Sequence, residues 1–363
     1  MANDTFQKAK PRRTLLWMSG HFVRQLKALM STLEHVLRAT SRTFAIGIEA
    51  LSRPLQEEMR IAYLILRVSD YLEDNTTLGS MEKAALLDSW AATLQGGTPD
   101  PRLLDHLGST PDPSPDSMAA HHTPEIIEAL EHLSPQAQTV IRARTRDSTL
   151  GMARWVRRGP VIETEADLDN YMHEVAGRVG YLITELFSLS SRGVRTNHPE
   201  LMVLGREFGL ALQTVNIVRG IPADIERGWL FVPKQFLPEG IETVEDFLAE
   251  GHRSEAMGVV DRLLRKAAGH FESAERYISL LPRFEGKMRR FCLLPFLFGI
   301  RTVALSRANP AVLVSEVKLD RNEVRRIASR ATLFGWSNRW IRRYAAEIGS
   351  GVHQPPARHS PAK

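Results

Sequence analysis

The sequence predicts an all-α chain folded as one helical domain over residues 14–348. Apolar residues recur at three- and four-residue spacing along most of its length, the pattern of amphipathic helices. No stretch sustains the alternation of a strand, the short Trp229–Val232 segment being the one candidate. No repeat of solenoid period divides the chain into modules.

Residues 1–13 are polar and are expected to be flexible. From Thr14 to Arg38, the positions of Leu15, Leu16, Phe22, Leu26, Leu29, Leu33 and Leu37 mark a first helix. Ser41-Arg42-Thr43-Phe44 interrupts it, and Pro54 suits the first turn of the next helix, which ends in acids at residues 70–74. Residues 81–95 read as another amphipathic helix. The Gly96–Thr123 stretch carries Pro99, Pro101, Pro111, Pro113 and Pro115 with little hydrophobicity, so residues 97–123 are expected to form a loop insertion. Periodicity then predicts helices at 124–132, 135–156, 166–192, 198–221, 243–250, 255–281, 284–306 and 321–348. Residues 349–363 are expected to be a disordered tail.

Composition narrows the function. A hydrophobic fraction of 43% supplies a core, and a charged fraction of 25% is ordinary for a soluble protein. The single Cys292 precludes an intramolecular disulfide and a thiolate zinc cluster. Net charge is +5, compatible with anionic substrates or an acidic membrane surface. The N-terminus lacks the apolar core of a signal peptide, and the longest apolar run, Phe291–Ile300, is too short to span a bilayer. A cytoplasmic protein, soluble or peripherally membrane-associated, is expected, without a C-terminal anchor. HExxH, GxSxG, a strand-borne GxGxxG and a P-loop are all missing from the sequence. Aromatics interleaved with basic residues are missing too, which argues against nucleic acid.

The chemistry-bearing stretch is YLILRVSDYLEDN, Tyr63 to Asn75. Its first half is apolar nearly all the way round, as in a buried helix. It ends in Asp70, Glu73 and Asp74, at i, i+3 and i+4 on one helical face. Carboxylates so close raise one another's pKa unless a cation holds them ionised, and oxygen-only ligands suit Mg²⁺ shared with substrate phosphate.

Several stretches, in order, resemble the squalene/phytoene synthase family. Thr40–Phe44 resembles its early Ser-Arg-x-Phe segment, and Tyr63–Asp74 its first aspartate-rich motif, with Arg67 one turn before Asp70. Residues 137–155 are similar to its central helix, whose small pair Gly151-Met152 is expected to face the cavity. Tyr171 through Val175-Ala176-Gly177 and Gly180 resembles the Tyr-x-x-x-Val-Ala-Gly-x-x-Gly signature. Gln213, Asn216 and Arg219 match polar positions on the second metal helix, and Phe291–Pro295 the helix closing the pocket floor.

The resemblance implies an isoprenoid-synthase bundle around an apolar cavity, and a transferase of prenyl groups using Mg²⁺, roughly two or three ions. It implies Asp70, Glu73, Asp74 and Tyr171 as catalytic residues, with Asp70, Asp74 and Asp224 holding metal. Ser41, Arg42, Arg67, Asn216 and Arg219 are expected to bind diphosphate. Phe44, Gly151, Met152, Val175, Gly180, Gln213, Gly220, Trp229, Phe291 and Pro295 are expected to line the prenyl or acceptor pocket, where aromatic rings can face a carbocation.

The second aspartate-rich motif departs from the pattern. Gly220 stands where the first aspartate is expected, Ala223 replaces the glutamate, Asp224 survives, and Trp229 replaces an arginine. Losing these charged partners should weaken a second diphosphate site by several kcal/mol, about 2–5 per buried partner. The first reading is therefore a Mg²⁺-dependent prenyltransferase. It ionises one allylic diphosphate, geranyl or farnesyl in type, and alkylates a hydrophobic or aromatic acceptor on a wall flattened by Trp229 and Pro222; some bacterial relatives prenylate aromatic acceptors. The alternative is head-to-head coupling of two farnesyl diphosphates, with NADPH if reduction follows. A third is a non-catalytic assembly-factor relative, opposed by the complete first motif. The basic residues Arg321, Arg325, Arg326, Arg330, Arg339, Arg342 and Arg343 share the last helix with Leu333, Phe334, Trp336, Trp340 and Tyr344. A helix of that kind can lie on an anionic membrane.

Overall fold

The structure is a computed structural model that describes residues 20–109, 115–159, 161–226, 228–241 and 243–350. The expectations for residues 1–13 and for the tail beyond 350 lie outside the described residues. Its helices are, in order, α1 (Gly20–Thr40), α2 (Arg42–Glu49), α3 (Leu55–Asp74), α4 (Ser80–Leu94), α5 (Pro101–Gly108), α6 (Pro115–His121), α7 (Thr123–Glu131) and α8 (Pro135–Arg158). There follow α9 (Glu165–Met172), a π-helical turn (His173–Gly177), α10 (Arg178–Ser190), α11 (Arg192–Thr196) and α12 (His198–Glu226). The chain closes with α13 (Val244–Leu248), α14 (Arg253–Leu280), α15 (Gly286–Ser306), α16 (Arg321–Phe334) and α17 (Asn338–Gly349).

No strand occurs among the described residues, and Trp229–Val232 runs as an irregular segment. The stretch 97–123 is not the loop its prolines suggest. Pro101 occupies the first turn of α5 behind the Asp100 cap, whose side chain accepts from Arg102 N at 2.9 Å. Leu103, Leu107, Ala119 and Ala120 of this region are fully buried, so short apolar anchors were enough to fold it onto the bundle.

Local chemistry sets the helix ends. Ser134 caps α8 through Ala137 N, and Thr164 with Asp167 forms a reciprocal capping box at α9. The expected continuous helix 166–192 is interrupted by the π turn. Glu174's carbonyl there is taken up by the buried Ser148 hydroxyl, which donates at 2.6 Å. The expected helix 198–221 continues through Pro222 to Glu226. It stops where Gly228, at φ +75°, turns the chain so that Trp229 N–H donates to the Asp224 carbonyl at 2.8 Å. The predicted last helix, 321–348, is two helices broken at Gly335.

α12 is the axis of the fold. It packs on α14 and α10, while α3 and α4 pack on α8. By length and composition α12 could cross a membrane, yet Leu204, Leu210, Ala211, Ile217 and Ile221 are buried inside the bundle. Glycine lets α12 approach its neighbour at this crossing. A Cβ on Gly180 would lie 1.9 Å from the Gly205 carbonyl oxygen, and one on Gly209 would lie 2.3 Å from that of Ala176.

Candidate active site

Buried Leu64, Ile65, Leu66, Val68 and Leu72 anchor α3, and the anchoring brings its last turn to the mouth of a central cavity. There Arg67 Nη1 donates to Asp70 Oδ2 at 2.9 Å. The Asp70 carboxylate keeps 30% exposure but lies deep in the mouth. Burial pushes its pKa up to about 6, Arg67 pulls it down, and Asp74 pushes it up again. Glu73 is held from behind, its carbonyl accepting from Lys83 Nζ at 3.1 Å.

Beneath Asp70 opens an apolar cavity of about 350 Å³. Phe44, Val175, Gly180, Gln213, Phe291 and Pro295, all expected pocket residues, line it together with Tyr63, Phe208 and Tyr277. Ser41, Arg67, Asp70 and Asn216 line its polar end. A second lobe of about 280 Å³ shares Ser41, Phe44, Asn216, Phe291 and Pro295 and continues over Gly47, Val215, Leu294 and Phe298. The two lobes meet at the Phe44 and Phe291 rings. Phe44 is fixed by Ser41, whose hydroxyl accepts from its N–H at 3.2 Å, and by the Tyr63 ring 5.6 Å away. Arg42 lies in α2, but its side chain is outside the described residues.

Tyr171 is buried between the two acidic helices. Burial and then the charges of Glu73, Asp74, Asp224 and Asp70 push its hydroxyl well above the usual range, so it stays a neutral phenol. Its ring stands edge-on to Trp155 at 5.6 Å and stacks on Phe231 at 4.6 Å, which stacks on Trp229 at 5.2 Å. This stack forms one wall of an outer recess of about 540 Å³ bounded also by Glu73, Asp74, Lys83 and Glu226.

Other expected site residues fall elsewhere. Gly151 and Met152 do not face the cavity. Gly151 makes room for Glu174, whose Oε2 is 2.2 Å from where a Cβ would be, and Met152 is buried in the α8 packing. The reason is the π turn, which rotates Glu174 onto α8, where it pairs with Arg154 at 3.0 Å while Arg178 at the start of α10 holds it at 2.5 Å. Trp229 lines the outer recess, not the cavity. Gly220 lies in an adjoining recess beside Ala223, Glu226 and Glu316, which shares Asn216 and Arg219 with the second lobe. The Asp224 carboxylate leans into the space Gly220 leaves, 2.8 Å from an added Cβ. Arg219, by contrast, lines the second lobe beside Asn216 and also forms an ion pair with Glu316, which holds Lys318 at 2.7 Å. Asn216 Nδ2 donates to Gln213 Oε1 at 3.3 Å.

Glu316 and Phe231 escaped the sequence reading. Nothing in spacing links Glu316 to an arginine 97 residues away. For Phe231 a signal existed, because the short alternation Trp229-Leu230-Phe231 places both rings on one side.

The hard oxygen donors at this mouth fit Mg²⁺, because a cation would relieve the strain that raises Asp70. Among the described residues no three carboxylates or imidazoles converge into a ready-made cage.

The model of the squalene/phytoene synthase family matches residues 37–325. The squalene synthase of Candida albicans is 30% identical over 299 residues, covering 80% of this chain and 65% of the relative. The human squalene synthase is 28% identical over 328 residues, covering 89% and 74%. The chain thus spans about 65% of the length of the Candida relative. Among solved structures, a ligand complex of TcSQS superposes with TM-score 0.76 at 23% identity over 92% of this chain and 94% of that one. A dehydrosqualene synthase superposes at 0.59 with 14% identity over 85% and 97%. These two show a shared all-helical fold.

Proposed function

The chain belongs to the squalene/phytoene synthase family, and on that premise we propose that it couples two allylic prenyl diphosphates head to head. Members of this family are prenyl transferases and generally use Mg²⁺. The comparisons support coupling, the second of the sequence expectations, better than transfer to a foreign acceptor. The observation that carries the reading is the two-lobed cavity, whose apolar arms meet at Phe44 and Phe291 directly below Asp70 and Asn216. Two prenyl chains lying in the arms would bring their allylic carbons together at the junction.

Asp70, Glu73 and Asp74 would hold Mg²⁺ against the donor diphosphate, and bound Mg²⁺ supplies Lewis-acid stabilisation of the leaving pyrophosphate. Arg67 fixes the Asp70 carboxylate in its ionised orientation and adds positive charge at the same edge. Phe44, Phe291, Phe208 and Val179 exclude water from the allylic cation, and the ring faces attract it. Tyr171, kept neutral beside four carboxylates, holds its proton at the hydroxyl as a hydrogen-bond donor between the acidic helices.

A second reading has its own observation: Gly220 and Ala223 supply no carboxylate, and Glu316 occupies Arg219. On that reading one diphosphate is ionised and the prenyl group passes to an acceptor without a diphosphate, held along the Trp229–Phe231 stack. Incubation with farnesyl or geranyl diphosphate and Mg²⁺, with and without NADPH, separates the two. A coupled hydrocarbon, alcohol or cyclopropyl diphosphate establishes head-to-head chemistry. Donor binding that is lost in Asp70→Ala, with no coupled product, points to a foreign acceptor.

A further inference from the structure

Behind the central cavity lies a recess of about 550 Å³ lined by Leu51, Leu55, Leu189 and Met288 and by the exposed Arg53 and Lys287. The same helices wall both spaces. On α10, Ile183 lines the cavity and Leu189 the recess; on α15, Cys292 lines the cavity and Met288 the recess. Those steps are only about 9 Å and about 6 Å of helix, the thickness of one layer of side chains. Two rings make up that layer. Phe187, fully buried, stands edge-on to Phe291, with ring centroids 5.9 Å apart and planes at 73°. Phe291 is backed by α2, where Gly47 leaves room for it: an added Cβ would lie 3.3 Å from Phe291 Cδ2.

The depth of the cavity in front of these rings decides which chain fits. Along α12 the lining runs from Asn216 at the polar end to Gly205 at the deep end, about 16 Å of helix. A fully extended chain advances at most ~1.2 Å per bond. On that scale the main chain of a farnesyl group reaches about 13 Å, and that of a geranylgeranyl group about 18 Å. The first ends short of the ring pair. The second overruns the cavity and meets it, and close-packed rings with no free space around them yield only with strain.

We propose that Phe187 is a specificity-determining residue, ending the prenyl chamber at the length of a farnesyl chain and excluding a geranylgeranyl chain. It acts at the distal end of the chain, away from the Asp70 mouth. Removing its ring would join the cavity to the recess, and Leu189 and Met288 would wall the added length. The ring has a second effect in the same place. Arg53 and Lys287 open the recess to solvent, so Phe187 also divides the apolar chamber from water. The proposal rests on the reading of the cavity as a prenyl chamber, and holds for either fate of the ionised donor.

Calorimetry with Mg²⁺ and non-ionisable analogues of geranyl, farnesyl and geranylgeranyl diphosphate tests it. The unaltered protein should bind the geranylgeranyl analogue at least ~10-fold more weakly than the farnesyl one. Phe187→Ala should narrow that ratio to ~3-fold or less. Its helical circular dichroism should be unchanged, as should its affinity for the geranyl analogue, whose chain stops short of the ring. Should Phe187→Ala fail to fold, Phe187→Leu, which keeps more of the core volume, should narrow the ratio in the same direction. Equal affinity of the unaltered protein for the farnesyl and geranylgeranyl analogues overturns the proposal. So does a folded Phe187 variant that keeps the original ratio, or one that loses affinity for all three analogues alike. If the unaltered protein binds none of the analogues with Mg²⁺, the donor site itself is overturned and this proposal with it, a result distinct from a lost chain-length preference.

Discussion

Asp70→Asn should make the metal-free protein more stable and its substrate site weaker. The Asp70 carboxyl titrates at about 6 in the folded chain against an ordinary 3.8. A folded-state pKa above the unfolded one means that the native protein binds this proton more tightly. The destabilisation is thus absent below pH ~4, builds between ~4 and ~6, and is complete above ~6. Roughly two pH units at ~1.36 kcal/mol each give a ceiling of ~3 kcal/mol. With the side chain 30% exposed, solvent screening brings this to ~1–2 kcal/mol. Urea unfolding in EDTA at pH 5 and pH 8 measures it. The variant should gain that amount at pH 8 and distinctly less at pH 5, where the Asp70 carboxyl of the parent is already largely protonated. In the same preparations, calorimetry with Mg²⁺ and a non-ionisable farnesyl diphosphate analogue should show affinity lowered at least ~10-fold. A variant no more stable than the parent at pH 8, or a gain equal at both pH values, would refute a strained charge held for a cation.

Three further outcomes are expected. Gly180→Ala sets a methyl 1.9 Å from the Gly205 carbonyl oxygen, and forcing α10 off α12 should cost ~3 kcal/mol or more in urea unfolding; a near-neutral effect would show that the crossing is loose. Glu316→Ala releases Arg219, so Mg²⁺-dependent inorganic pyrophosphate affinity should rise ~3- to 10-fold in calorimetry; a fall would assign Glu316 a direct part in binding. Arg289→Lys keeps the charge but cannot reach the Ile278 and Leu281 carbonyls and Gly335 and Asn338 at once, so unfolding free energy should drop by ~2–4 kcal/mol, and an unchanged value would show that these hydrogen bonds do not hold α14 to the Gly335 turn.

The fold class and the acidic cluster that ends α3 are local properties, and the sequence alone determines them. Helical periodicity defines most of the helices, and the i, i+3, i+4 spacing of Asp70, Glu73 and Asp74 places three carboxylates on one face wherever the helix lies. Phe44, Gly180, Phe291 and Pro295 were legible as pocket residues because their motifs carry them in order. Tertiary structure decided the rest, because those outcomes depend on which elements meet. Prolines marked residues 97–123 as a loop, but Leu103, Leu107, Ala119 and Ala120 found a core to bury against. Gly151 looked like a cavity residue, and the π turn instead brought Glu174 onto it. Arg219 reads as a diphosphate ligand in the sequence, and only folding sets Glu316 beside it. The last helix read as one amphipathic rod, and the Arg289 hydrogen bonds to Gly335 and Asn338 tie it down as two. Periodicity records which face a residue takes; only the packed chain determines what that face meets.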